Sequence, residues 1–335
     1  MLNFLSWLIF VPLQIAFIPL AVVGVAVVAY KQILVSKRLD ASQTGIETLN
    51  ARWTMHMFGM RDDVPSKQLA ETIPNTSVLG LSFCLIPLWV KYKISGTLSL
   101  YPRAPQEGSE TLLDWFLVRT LYIDRILDRA APDMEQFVLI GSGYDSRAYL
   151  CSEKHRMKCF ELDRAGTQRL KTDALTKAGI ESSHVNFIPV DFECENAFDK
   201  LSEAGWDPSR KTLFLFEGVT LYLEEETVRT TLRYIAERAA PGSVLTLDIY
   251  AQKVIDDLTR RTRRVLEYTN EALSFGLPFE TDFERVLADF IESEDLRLGE
   301  TFFLGRTHET GPYGVVAEVL IQRERVIAPE NASGG

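Results

Sequence analysis

From residue 136 onward the sequence alternates short apolar runs with helical patterns, which predicts an α/β fold whose sheet is mainly parallel and covered on both faces. Three observations support this. Strand-length apolar runs at 136–140, 157–162, 185–189, 213–216 and 244–249 are separated by helical patterns at 146–152, 166–178, 195–204 and 225–239. The first run, Phe137-Val138-Leu139-Ile140, breaks on Gly141-Ser142-Gly143 and passes into Asp145-Ser146-Arg147. A buried strand that ends on such a turn and re-enters a helix opens a crevice of nucleotide size. The last two runs, 299–304 and 315–322, are joined through Gly311-Pro312 and read as a hairpin at the sheet edge.

Ahead of this region lies a different kind of sequence. No charged residue occurs from Met1 to Tyr30, and 8–29 is almost wholly apolar; about 20 such residues span a bilayer core. Pro12 and Pro19 are tolerated in a membrane helix. Trp7 and Tyr30 lie near its ends, where amphipathic aromatics favour the interface. A cleaved signal peptide has a basic leading segment and a shorter apolar core, so residues 1–35 read as a transmembrane anchor; a buried core helix is the third reading. Lys31, Lys37 and Arg38 follow the span, and positive flanks stay inside. The expectation is a single-pass membrane protein whose remaining chain faces the cytoplasm.

A second apolar run, 78–90 (VLGLSFCLIPLWV), is too short to cross and is interrupted by Pro87. Its readings are a core helix, an interfacial segment beside the anchor, or a re-entrant piece. Lys91 and Lys93 behind it suit anionic head groups, and such a segment would suit an apolar substrate entering from the membrane. Residues 36–110 read as a connector or lid, irregular over 40–105 and closed by the turn-rich Tyr101-Pro102-Arg103-Ala104-Pro105. The catalytic unit is then 111–328. It opens with a helix at 111–130, where Leu113, Phe116, Leu117, Leu121, Ile123 and Leu127 recur at helical spacing and Pro132 ends the pattern. Further helices are expected at 252–275 and 281–293, and the tail 329–335 reads as disordered.

Composition narrows the partners. With 335 residues, 46% hydrophobic and 24% charged, the chain can bury a sizeable core. A net charge of −10 lacks the basic footprint that nucleic acid requires. Cys84, Cys151, Cys159 and Cys194 form no Cys-x-x-Cys pair and have no histidine at metal-ligand spacing, so they read as reduced and mostly buried, with no metal site.

In an open α/β sheet, ligands bind outside the carboxyl ends of the strands, and each strand end here carries a polar group. Gly141 and Gly143 let backbone approach a ligand closely. Asp145 either serves that ligand or caps its helix. The second strand ends in Glu161-Leu162-Asp163, an acid about 20 residues beyond the glycines, where ribose hydroxyls are commonly bound. After the third, Asp191 could accept an adenine amino proton while Phe192 packs on the ring. The fourth ends in Phe216-Glu217-Gly218, ahead of Leu221-Tyr222-Leu223, and a charge after an apolar strand needs a reason. Taken singly, each acid reads as a cap or a solvated loop carboxylate. Acids at four successive strand ends are harder to dismiss.

The order RTLYID, FVLIGSGYDSRAYL, FELDRAGTQRLK, IPVDF and LFLFEGVTLYLEEE resembles the leucine carboxyl methyltransferase family of S-adenosylmethionine-dependent O-methyltransferases. The likeness covers 112–249. It implies a Rossmann-like, seven-strand class I methyltransferase sheet with a reversed last strand, and S-adenosyl-L-methionine as cofactor. It also implies that Arg119 binds the methionine carboxylate, that Gly141 and Gly143 form the cofactor turn, and that Asp163 meets the ribose with Glu161 as a neighbouring candidate. Asp191 and Phe192 match the adenine pair, Glu217 the acid near the methionine amino group, and Tyr222 the tyrosine facing the substrate. Two features depart from the family: the apolar start, and residues 40–105, where its N-terminal substrate-binding portion is hard to recognise and Arg52, Arg61 and Asp62 are the candidates for it.

Methyl transfer from a sulfonium asks the protein chiefly to hold nucleophile and methyl carbon in line. A carboxylate acceptor is already ionised, whereas a hydroxyl benefits from a base. His56, His155, His184 and His308 are scattered and read as structural or surface residues, which favours a carboxyl group on a small or lipid-like acceptor. One rival is a Rossmann oxidoreductase using NAD, but Ser146 replaces the third glycine of its fingerprint. The other is a membrane-tethered S-adenosylmethionine-binding protein without turnover.

Overall fold

The computed structural model describes residues 2–39, 41–98, 100–150, 157–269 and 272–322. Its centre is a seven-stranded sheet of order β3-β2-β1-β4-β5-β7-β6. The strands are β1 (Gln136–Ile140), β2 (Lys158–Asp163), β3 (Val185–Pro189), β4 (Thr212–Phe216), β5 (Val244–Tyr250), β6 (Arg297–Leu304) and β7 (Gly314–Leu320). β1, β4 and β5 are buried at every position, as strands covered on both faces must be. Val138 of β1 pairs in parallel with Phe160 on one side and Phe214 on the other. β7 runs antiparallel to both β5 and β6, so the expected hairpin and reversed strand are both present. The chain leaves β1 toward β2 and β3, then returns to β4 on its other side. That reversal is where such sheets open a crevice.

Helices cover the sheet. α6 (Trp115–Ala130), α7 (Ala165–Ala178), α8 (Ala197–Glu203), α9 (Glu225–Arg238), α10 (Gln252–Thr269) and α11 (Phe283–Glu292) fall close to the expected patterns. α10 stops short of 275 because Ser274 N–H donates to Leu221 O and Leu277 N–H to Tyr250 O, which ties the following chain back to the sheet. Phe137, Phe160, Phe214 and Phe216 are fully buried between the layers, each contributing about 1.5–3 kcal/mol of transfer free energy.

The stretch expected to be irregular, 40–105, is instead mostly helical: α3 (Gln43–Met57), α4 (Val64–Thr72) and α5 (Val78–Ser95), after α1 (Leu2–Ala29), a π-helical stretch Tyr30–Val35 and α2 (Ser36–Leu39). Each helix of this group has a side-chain cap. Ser42 Oγ accepts from Gly45 N–H, Asp63 Oδ1 from Ser66 N–H, and Ser77 Oγ from Gly80 N–H. Nor does Pro87 interrupt the second apolar run; α5 continues through it for 18 residues. α1 and α5 are each long and apolar enough to cross a membrane.

These two helices pack antiparallel. Lys91 Nζ sits 4.8 Å from the Trp7 ring centroid, and Cys84 Sγ donates to Ala21 O at 3.6 Å. At the crossing, a Cβ on Gly24 would lie 2.5 Å from Gly80 O, and one on Gly80 2.9 Å from Gly24 O. Only glycine at both positions permits this backbone approach. Of the cysteines, Cys159 is buried and Cys84 partly so, whereas Cys194 is exposed, contrary to expectation. Cys151, His155 and the tail 329–335 lie outside the described residues.

In an Ala21→Cys variant, mild oxidation is expected to trap a disulfide with Cys84, and adding Gly80→Leu should abolish it by forcing α1 off α5. Thiol counting with a maleimide before and after reduction checks both outcomes.

Candidate functional site

The turn after β1 forms the floor of the crevice. Gly141 has φ +70°, and a Cβ there would lie 2.3 Å from Val219 Cγ2. Gly143, at φ +46°, borders open space, so no side chain of its own stands between the turn and the cavity. Gly143 N–H donates to Asp163 Oδ2 at 2.5 Å and Arg164 N–H to Asp163 Oδ1 at 2.7 Å. Burial raises the Asp163 pKa, and these two N–H bonds pull it the other way. Asp191 and Phe192 stand at the end of β3, Glu217 at the end of β4, and Tyr222 on the 3-10 turn Thr220–Tyr222. With Arg119, Gly141, Gly143, Asp145 and Asp163, all of them line one cavity of about 570 Å³.

Three buried arginines organise the wall of this cavity. Arg52 of α3 donates from Nη2 to Asp145 Oδ2 and to Glu217 Oε2, both at 2.8 Å. Arg147 donates from Nη1 to Asp145 Oδ2 at 2.6 Å and to Glu217 Oε2, and from Nε to Asp124 Oδ1 at 2.7 Å. Arg119 of α6 meets Glu217 Oε1 and Asp248 Oδ2, each at 3.1 Å, and Thr48 Oγ1 at 3.1 Å. Burial alone would raise Glu217, but Arg147, Arg52 and Arg119 outweigh it and hold its pKa at about 2. Asp145 is lowered in the same way, burial being opposed by Arg147 and Arg52. Its Oδ1 also accepts from Arg147 N–H at 2.7 Å, at the start of the helix it was expected to cap.

Glu161 is not in the cavity. It is fully buried, where Lys171 Nζ donates to Oε2 at 2.6 Å and Tyr149 OH to Oε1 at 3.1 Å. The ribose candidacy of Glu161 is therefore corrected: it pairs in register with Leu139 inside the sheet, whereas Asp163 stands on the last rung opposite Pro189. Sequence reasoning missed Arg147, Asp248 and the central place of Arg52. Asp248 had a legible signal, an acid inside the otherwise apolar run VLTLDIY; it accepts from Gly218 N–H at 2.6 Å. The cavity also has an unexpected wall, Gln32, Ile33, Ser36 and Lys37, from the chain that follows α1. Gln32 Nε2 donates to Glu47 Oε1 of α3 at 2.6 Å, fixing that wall to the domain.

The family model for leucine carboxyl methyltransferase matches residues 92–236, so the resemblance read from the motifs is borne out over this region. The Bacillus subtilis protein YktD is 26% identical over 58% of this chain and 68% of its own length. A Mycolicibacterium gilvum protein is 29% identical over 54% of this chain and 59% of its own, and Frankia alni FRAAL3718 is 31% identical over 48% and 57%. All three are classed by name as S-adenosyl-L-methionine-dependent methyltransferases. Apart from YktD, these relatives are matched over less than two thirds of their length. Over this region the chain is therefore similar to S-adenosylmethionine-dependent methyltransferases.

Asp163→Asn should weaken binding of S-adenosylhomocysteine by about 10–100-fold, as loss of a charge-assisted hydrogen bond does. Glu161→Gln should leave that affinity unchanged while costing about 3–5 kcal/mol of stability, because Lys171 is stranded; calorimetry and denaturant unfolding of the full chain in detergent separate the two. Glu217, depressed from 4.5 to about 2, contributes stability that is complete above pH about 4.5 and is lost as pH falls toward 2. A Glu217→Gln variant should start less stable at pH 7 and show a shallower loss across that window.

Proposed function

We propose that the chain transfers a methyl group from S-adenosylmethionine to a carboxylate oxygen of a small or lipid-like acceptor at a membrane surface. The observation that carries this reading is the gathering of the glycine turn, Asp163, Asp191, Phe192, Arg119 and Glu217 around one cavity. The residues present fit the cofactor. Gly143 leaves space that a Cβ would fill, and Ser142 Oγ, also on the cavity wall, is buried without a hydrogen-bond partner among the described residues. In this reading Asp163 receives the ribose hydroxyls and Asp191 with Phe192 the adenine. Arg119 and Glu217 receive the methionine carboxylate and amino group. Arg52 and Arg147 keep Glu217 ionised for that task.

S-adenosylmethionine supplies an electrophilic methyl carbon that an acceptor oxygen takes in line, the electrons of the breaking C–S bond passing to sulfur. What the chain contributes is position and charge. A carboxylate acceptor needs no proton removed, and among the described residues no histidine lines the cavity. Tyr222 borders the same chamber and is suited to orient the acceptor. The apolar α1 supports attachment to a membrane, and Lys31, Lys37 and Arg38 at its end support a domain facing the cytoplasm.

A dinucleotide reading is disfavoured by one contact set. Ser146, at the third-glycine position, is fully buried; its Oγ donates to Asp63 Oδ2 at 2.9 Å and sits 2.9 Å from Ser66 Oγ. The helix start that would receive a pyrophosphate is thus covered by α4.

The full chain in detergent should bind S-adenosylhomocysteine and not NAD by calorimetry; NAD binding without S-adenosylhomocysteine binding rejects the proposal. With a labelled methyl donor and lipid or acid extracts, the product should release its label as methanol in mild base, the mark of an ester. Alkali-stable label would point to a hydroxyl acceptor instead. Tyr222→Phe should slow that transfer without changing cofactor affinity.

A further inference from the structure

We propose that α1 and α5 form a seat immersed in one leaflet of the bilayer, lying in its plane, with the arginine-rich face of α10 meeting anionic head groups beside the cavity mouth. This rests on the membrane reading above and goes beyond it by assigning orientation and lipid class.

The first observation is how α5 lies on the domain. Val78, Leu81 and Leu85 pack against the domain core. The Tyr92 ring lies 5.8 Å from that of Phe58, and its hydroxyl comes within 3.0 Å of where a Cβ on Gly59 would stand. This stripe, with helical spacing, runs from Val78 to Tyr92, about 21 Å along the axis. α1 is paired with α5 over the same length, from Trp7 beside Lys91 to Gly24 beside Gly80. If α1 stood along the bilayer normal, the domain flank carrying Phe58 would be drawn to hydrocarbon depth. Lying flat, α1 and α5 enter one leaflet and the domain stays in water.

The second observation is what the pair presents. α1 exposes Leu2, Phe4, Leu8, Ile15, Val22 and Val25, and no charge interrupts the chain before Lys31. An uncharged ridge of this length fits acyl chains.

The third is charge. In a chain of net −10, α10 holds Arg260, Arg261, Arg263 and Arg264, all exposed. Asp257 and Glu267 on the same helix pair with three of them. The Lys37 ammonium lies 5.7 Å from the Tyr268 ring centroid, which joins this basic run to the end of the anchor, where Arg38 is also exposed. Leu258, Thr262 and Leu266 of α10 line the same cavity as Gln32, Ile33 and Lys37. The cavity therefore opens between the anchor and the basic helix, at the level where a leaflet presents head groups.

The test uses full-length protein with an N-terminal epitope tag in sealed inverted bacterial membrane vesicles, cytoplasmic face outward. Protease added outside should remove the tag and digest the domain together. A protected tag beside a digested domain would mean that α1 crosses, overturning the seat while leaving membrane attachment intact. Recovery of the protein in the soluble fraction would overturn both. Charge is read separately: replacing the four arginines by glutamine should cut flotation with vesicles of phosphatidylcholine and phosphatidylglycerol by about tenfold, with no change on phosphatidylcholine alone. Equal flotation of variant and parent on the anionic vesicles would overturn the head-group assignment.

Discussion

Glu217 is the point on which the site closes. Its two oxygens meet the guanidinium groups of Arg52, Arg119 and Arg147, all of them buried. A buried guanidinium without a carboxylate is strongly unfavourable, and so is the reverse. The three elements that carry the arginines, α3, α6 and the turn after β1, must therefore arrive together at the end of β4. Asp145, Asp248 and Asp124 complete the charge balance from the remaining sides. The same constraint keeps Glu217 and Asp145 ionised in a place where burial alone would favour their protonation.

The sheet and most of the cavity floor were legible because both depend on short-range pattern. Strand runs ending on glycine or acid announce a crevice, and Gly141, Gly143, Asp163, Asp191, Phe192 and Glu217 all stand in it. Glu161 was misread because strand-end acids look alike in sequence. Two rungs along β2, and Lys171 on α7 beside Glu161, decide which of them reaches the cavity. α3 was invisible for a related reason. Its apolar stripe is short, Ile46, Leu49 and Trp53, and the residues beside it that matter most, Thr48 and Arg52, are polar and turned toward the site.

The second apolar run shows the opposite failure. Pro87 and limited length argued for a broken segment, yet the helix persists because its partner is another apolar helix meeting it glycine to glycine. Pairing of that kind depends on two positions 56 residues apart in sequence, Gly24 and Gly80, and neither carries a signal alone.

A leading apolar helix is ordinarily a separable module, removed without consequence for the domain behind it. Gln32, Ile33, Ser36 and Lys37 forbid that here, since the stretch that follows α1 is itself cavity wall. Cutting the chain behind Lys37 would leave the chamber open on one side and free Glu47 from Gln32. The length of chain needed to close the chamber therefore reaches back to the end of α1.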